Sequence, residues 1–72
     1  MKEYVKIEGS SSIAGVKYNT DDEMLIVHFV QGSEYIYKDV PQEKFQKLLE
    51  SESKGKYFAK EIRTEYEFEK VA

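Results

Sequence analysis

Glu23-Met24-Leu25-Ile26-Val27-His28-Phe29-Val30 is the stretch on which the fold turns. Its residues alternate, with Leu25, Val27 and Phe29 on one side and Met24, Ile26, His28 and Val30 on the other. β-branched and aromatic side chains dominate, and both sides are largely apolar, the pattern of a strand flanked by others. Asn19-Thr20-Asp21-Asp22 precedes it as a turn with Asx chemistry, and Gln31-Gly32-Ser33 closes it. Working outward, Ile13–Asn19 reads as a strand with Ala14, Val16 and Tyr18 on one side and Ile13, Gly15 and Lys17 on the other. Ser33–Lys38 returns as a third, with Tyr35 and Tyr37 on a common face. Three strands joined by short turns make an antiparallel meander.

The period then changes. Val40, lying before a proline, is pushed to extended geometry, and Pro41 suits the first position of a helix. Asp39 and Glu43 place negative charge at that helix start, and Phe45, Leu48 and Leu49 recur at i, i+3, i+4, which predicts an amphipathic helix over 41–50. Ser53 is a natural N-cap for a second helix over 54–63, with Phe58 and Ile62 as its buried stripe. The expected fold class is therefore α+β, a three-stranded antiparallel β-meander followed by two short α-helices packed on one sheet face. The core is expected from Leu25, Val27, Phe29, Tyr35 and Tyr37 beneath Phe45, Leu48, Leu49, Phe58 and Ile62.

The two ends stay open at this level. Tyr66-Glu67-Phe68-Glu69 alternates like a strand, yet Tyr66 also continues the Phe58–Ile62 row, so the pattern equally fits a second helix that runs on. Residues 3–8 and 65–70 can add strands, paired with each other or elsewhere. Two helices cover only one sheet face, so Ile26 and Ile36 on the other need a cover: the terminal segments, the simplest choice, or a second copy of the chain, or another partner.

Seventy-two residues form one domain, 1–72, near the lower limit for folding without staples. There is no cysteine and a single histidine, His28, so neither disulfides nor a thiolate metal site is available and no metal or cofactor is expected. Ten aromatic rings, six Tyr and four Phe, supply apolar area instead. The longest apolar run, Met24 to Val27, is far below the roughly 18 residues of a membrane span. Met1 to Ser10 lacks a signal-peptide core, so a cytoplasmic protein is expected.

The landmarks in order are Ser11-Ser12-Ile13-Ala14, Tyr18-Asn19, Leu25-x-Val27-x-Phe29, Gly32, Tyr35-x-Tyr37, Val40-Pro41, Ser53-Lys54-Gly55-Lys56-Tyr57-Phe58 and Ile62-Arg63. Together, over about residues 10–63, they resemble the KTSC family, named for a C-terminal segment of lysyl-tRNA synthetases. The resemblance implies a small accessory domain, here in its stand-alone form, with no established activity and a suggested role in RNA binding.

The net charge of −3 advertises no polyanion, but residues 54–63 carry Lys54, Lys56, Lys60 and Arg63 against Glu61 alone. On a helix, Lys56, Lys60 and Arg63 share a stripe opposite Phe58 and Ile62. Like charges at i, i+4 and cations in a first helical turn are mildly unfavourable, which invites a bound anion as their reason. Ser53, Lys54, Gly55 and Lys56 are the candidate anion-binding residues at the helix start, with Tyr57 as a stacking surface, and Lys60 and Arg63 extending the site toward RNA or another polyanion. The plainer reading is a solvated helix face, with Gly55 kept for close packing. Tyr35 and Tyr37 share the core phase and are expected to hold the fold together.

No catalytic constellation is present. Ser10–Ser12 has no nucleophile elbow, Thr20-Asp21-Asp22-Glu23 lacks calcium-loop spacing, and no phosphate-binding glycine fingerprint occurs. Two classes of function remain: a nucleic-acid-binding module using the second helix, and a protein-interaction or structural module, such as a homodimer, using the exposed sheet face.

Overall fold

The decisive stretch forms the central strand of five. The structure is a computed structural model that describes residues 2–71. Its elements run β1 (Lys2–Lys6), β2 (Ile13–Asn19), β3 (Met24–Phe29), β4 (Glu34–Tyr37), α1 (Gln42–Glu50), α2 (Lys54–Glu61) and β5 (Phe68–Lys70). The sheet is antiparallel throughout, in the order β1-β2-β3-β4-β5. The expected α+β class with two helices on one face holds; the three-stranded meander does not, because both terminal segments extend the sheet.

The termini therefore do not pair with each other. β1 adds to β2, with Val5 opposite Val16, and β5 adds to β4, with Phe68 opposite Tyr37. The second helix stops at Glu61 because Ile62 leaves the helical path, its N–H and that of Arg63 both donating to the Phe58 carbonyl at 3.0 and 2.8 Å. Tyr66 thus lies beyond the helix, and the period-two reading of Phe68 is the correct one.

Two further local differences have clear causes. Pro41 is the N-cap of α1 rather than its first residue, with φ −63° and ψ 149°. Val40 before it is fixed in place: its N–H donates to the Glu23 carbonyl at 2.8 Å, and its carbonyl accepts from the Tyr18 hydroxyl. In β2 the simple alternation breaks at a bulge between Ile13 and Gly15, where Ile13 faces Phe29 and Gly15 faces His28. A bulge sets two residues against one and shifts the side-chain phase. Ile13 consequently joins Val16 and Tyr18 in the core, while Ala14 is half-buried.

That core lies between the sheet and the helices. Leu25, Val27, Tyr37, Phe45, Leu48, Phe58 and Ile62 are buried as the periodicity requires, and Ile7, Val16, Tyr18 and Val40 join them. Phe29, Tyr35 and Leu49 pack at its margin. Stacked Tyr18 and Phe45, 4.8 Å between centroids, tie β2 to α1, and Phe58 sits edge-on to Tyr37 at 5.2 Å, tying α2 to β4. The other sheet face carries no helix. One row across it reads Tyr4, Lys17, Ile26, Ile36, Glu69. The terminal segments lengthen this face and cover it in part, Tyr4 lying over Gly15 and against His28 while Ile26 and Ile36 stay half-buried. Among the described residues no helix is long and apolar enough to cross a membrane.

Candidate functional site

The loop Ser10–Ser12 is folded onto the start of α2. The Ser10 Oγ accepts from the Ser12 and Ile13 N–H groups at 3.3 and 3.1 Å, and the Val30 N–H donates to the Ser12 carbonyl at 2.8 Å. A Cβ added at Gly55 would meet the Ser10 and Ser12 Oγ atoms at 3.3 Å each, so glycine here permits the loop and the helix to touch. Two hollows open from this seam, sharing Ser12, Gly55 and Ala59.

The smaller, of about 370 Å³, holds the helix start. Ser53, Lys54, Gly55 and Lys56 all border it, as the sequence leads one to expect. Ser53 occupies the N-cap without a side-chain cap, and the first intrahelical bond is that of the Tyr57 N–H to the Ser53 carbonyl at 3.0 Å. Two observations weaken this hollow as an anion site. Lys54 directs its Nζ to the Ser51 carbonyl at 3.1 Å, and the carboxylate residues Glu8 and Glu52 stand on the same rim as Lys54 and Lys56. Two negative charges facing two positive ones leave little net attraction.

The larger hollow, of about 520 Å³, has a different chemistry. β3, β4, β5 and α2 supply its aromatic floor and walls. Phe29 and Tyr35 meet edge-on at 5.5 Å, Tyr35 and Phe68 tilt together at 5.6 Å, and Tyr37 lies 5.5 Å from Phe68. Arg63 is the only charged residue among its described lining residues. It follows the end of α2 rather than lying on the helix, and it makes no ion pair with a described residue. The Tyr37 ring is 3% exposed, and its hydroxyl makes no hydrogen bond with a described residue. No sealed side-chain oxygen or nitrogen lacks a partner, so that hydroxyl is not fully sealed, and Tyr37 is among the residues lining the hollow. Burial pushes the Tyr37 phenol above its ordinary range, the Arg63 guanidinium pulls it back part of the way, and Tyr35 adds a little upward.

The candidate residues thus divide. Ser53 to Lys56 gather at one hollow and Arg63 at the other, with Lys60 exposed on α2 and bordering neither. Tyr57 is half-buried against the core and offers little ring for stacking. Tyr37 is core as expected, while half-buried Tyr35 is shared between core and hollow. Sequence reasoning missed Ser12, Gln31, Ala59, Thr64 and Phe68 as neighbours of Arg63. For Phe68 a signal existed, its period-two phase with Tyr66; for the others only the fold brings them together. His28 is not part of either hollow; its Nδ1 lies 3.1 Å from the Glu34 Oε1 and its ring meets Tyr4 edge-on at 5.7 Å. No group of three His, Cys, Asp or Glu able to hold a metal occurs among the described residues.

A KTSC domain model matches residues 9–66, most of the chain. The chain belongs to the KTSC family. Among its relatives, an uncharacterised protein of Stutzerimonas stutzeri is 41% identical over 49 residues, 68% of this chain and 69% of that one. A protein of Tsukamurella paurometabola is 38% identical over 48 residues, 67% of this chain and 72% of its own. The crystal structure of a KTSC domain protein from Yersinia pestis matches with a TM-score of 0.89 at 29% identity, covering 100% of both chains. Ser12, Phe29, Tyr35, Tyr37, Gly55 and Arg63, all landmarks of the KTSC resemblance, meet at the larger hollow.

Proposed function

We propose that this KTSC domain is a nucleic-acid-binding accessory module, holding single-stranded RNA across the larger hollow and the outer side of α2. One observation supports it above the rest: Arg63, unpaired, sits where the aromatic hollow meets the basic segment. Stacking surface and positive charge side by side are what single strands require, bases lying on rings while phosphates find cations. Lys56 and Lys60 are exposed and unpaired among the described residues, placed to follow a backbone that leaves the hollow. On this reading the domain binds and does not catalyse, and it acts in the cytoplasm.

The test is an NMR titration of the labelled protein with short RNA and DNA oligonucleotides. Shifts are expected on Phe29, Tyr35, Phe68 and residues 53–63. Affinity should fall steeply with salt, since phosphate contacts release counterions. The double variant Lys56→Glu/Arg63→Glu should lose binding at an unchanged melting temperature, because both side chains are exposed. Salt-insensitive binding, or no shifts, would sink the proposal. A second reading, a protein-interaction or structural module, draws on the helix-free sheet face with its half-buried Met24, Ile26 and Ile36.

A further inference from the structure

The polar groups around the larger hollow are of unequal kind, and the inequality discriminates between bases. Arg63 offers donors only, in a planar fork, with no carboxylate among the hollow's described lining residues to occupy them. Gln31 donates one of its two amide N–H groups to the Ser33 Oγ at 2.9 Å, which leaves its carbonyl oxygen and the second N–H free. Tyr37, whose hydroxyl has no hydrogen-bond partner among the described residues, adds a further polar group to the lining. Ala59, exposed on α2, keeps the side wall low between the helix and Phe68.

A base that fits must present acceptors to a donor fork and donors to a carbonyl oxygen. Guanine does both, with O6 and N7 on one edge and N1–H and the 2-amino group on the next. Adenine presents one acceptor, N7, beside its 6-amino donor on that edge, so a donors-only fork meets one acceptor where guanine offers two. Pyrimidines offer a smaller ring to the five aromatic side chains. A hollow of about 520 Å³ has room for a purine with part of its sugar.

We infer that the larger hollow is a guanine-selective base pocket, the base lying against Tyr35 and Phe68 with the Arg63 fork on O6 and N7 and the Gln31 carbonyl on its donor edge. This rests on the nucleic-acid reading above and sharpens it to one base.

The experiment compares three RNA hexamers of uridine carrying a single central G, A or C, followed by tyrosine fluorescence and by NMR. The G hexamer should bind about tenfold more tightly than the others, as one bidentate contact warrants. Arg63→Lys keeps the charge and loses the fork, so it should remove the difference. Ala59→Trp fills the hollow from an exposed position, and with circular dichroism and melting temperature like the parent's it should also remove the preference. Equal binding of all three hexamers by the parent overturns the pocket while leaving the proposed function standing. Binding of none overturns both. A G preference that survives both substitutions places its origin elsewhere and overturns the inference.

Discussion

Glu23 and Asp39 hold φ of 54° and 57°, the left-handed region that side chains other than glycine, asparagine and aspartate rarely enter. Asp39 tolerates it; Glu23 has no such excuse. Its position is set by what surrounds it: Asn19 organises the turn, its Oδ1 accepting from the Asp21 and Asp22 N–H groups at 3.0 and 3.3 Å. The Glu23 carbonyl then takes the Val40 N–H at 2.8 Å, fixing the chain that leads into α1. All three bonds use backbone or Asn19 atoms, so the Glu23 side chain is dispensable to them. Replacing Glu23 by glycine should therefore stabilise the domain by about 1 kcal/mol in urea unfolding, the left-handed strain relieved outweighing the added backbone freedom. A loss of stability would show that the carboxylate carries weight of its own. Its proximity works in the opposite direction on one neighbour: burial, and secondarily Glu23, raise the Tyr18 phenol above its ordinary value.

At the scale of elements, α1 and α2 are joined by Lys44 and Glu61, whose Nζ and Oε1 are 3.0 Å apart. That hydrogen bond and charge lower the Glu61 carboxyl below its ordinary 4.5 and raise the Lys44 ammonium. A carboxyl lowered on folding adds stability above its unfolded value and loses it as pH falls through the folded one. The melting temperature should decline on acidification from pH 4.5 downward, and less so in Lys44→Met across the same window. The pair is partly open to solvent, so the difference will be small. Elements also show what the chain's pattern reveals. β3, β4 and α1 were legible within a residue at each end, because period two, period 3.6 and Pro41 all act locally. The bulge at Ile13 was not, since no residue there differs from a regular strand; pairing with Phe29 and His28 creates it. β1 and β5 were open for a related reason, being short strands stabilised by their neighbours. Tyr4 shows the dependence, its ring lying over Gly15, where an added Cβ would collide with it.

For the molecule as a whole, the helix-free sheet face sets the remaining question. Along its central row Lys17 lies toward one edge and Glu69 at the other, with Ile26 and Ile36 between. Two copies related by a two-fold axis along the strands would lay Lys17 of each toward Glu69 of the other. If the face serves as the interaction reading holds, sedimentation should show a dimer that Ile26→Lys abolishes; a strict monomer at high concentration excludes this form of it. The candidate site was legible in part at this scale. Its members lie in the serine loop, two strands and the end of a helix, each identified for itself, yet which of them share a hollow depends on the bulged sheet and on β5. The start of α2 is a weaker anion site than its sequence suggests because Glu8, distant in sequence, folds onto it beside the neighbouring Glu52.

The strand order carries one more consequence. β1 to β4 are joined in succession by short turns, whereas β5 reaches its place only after both helices have intervened. It is three residues long and forms one border of the sheet, yet it brings Phe68, a wall of the hollow. The site is therefore closed by the part of the sheet with fewest rungs. Release of that short strand and loss of the Phe68 wall are a single event, and an occupant of the hollow would act as a clasp on β5.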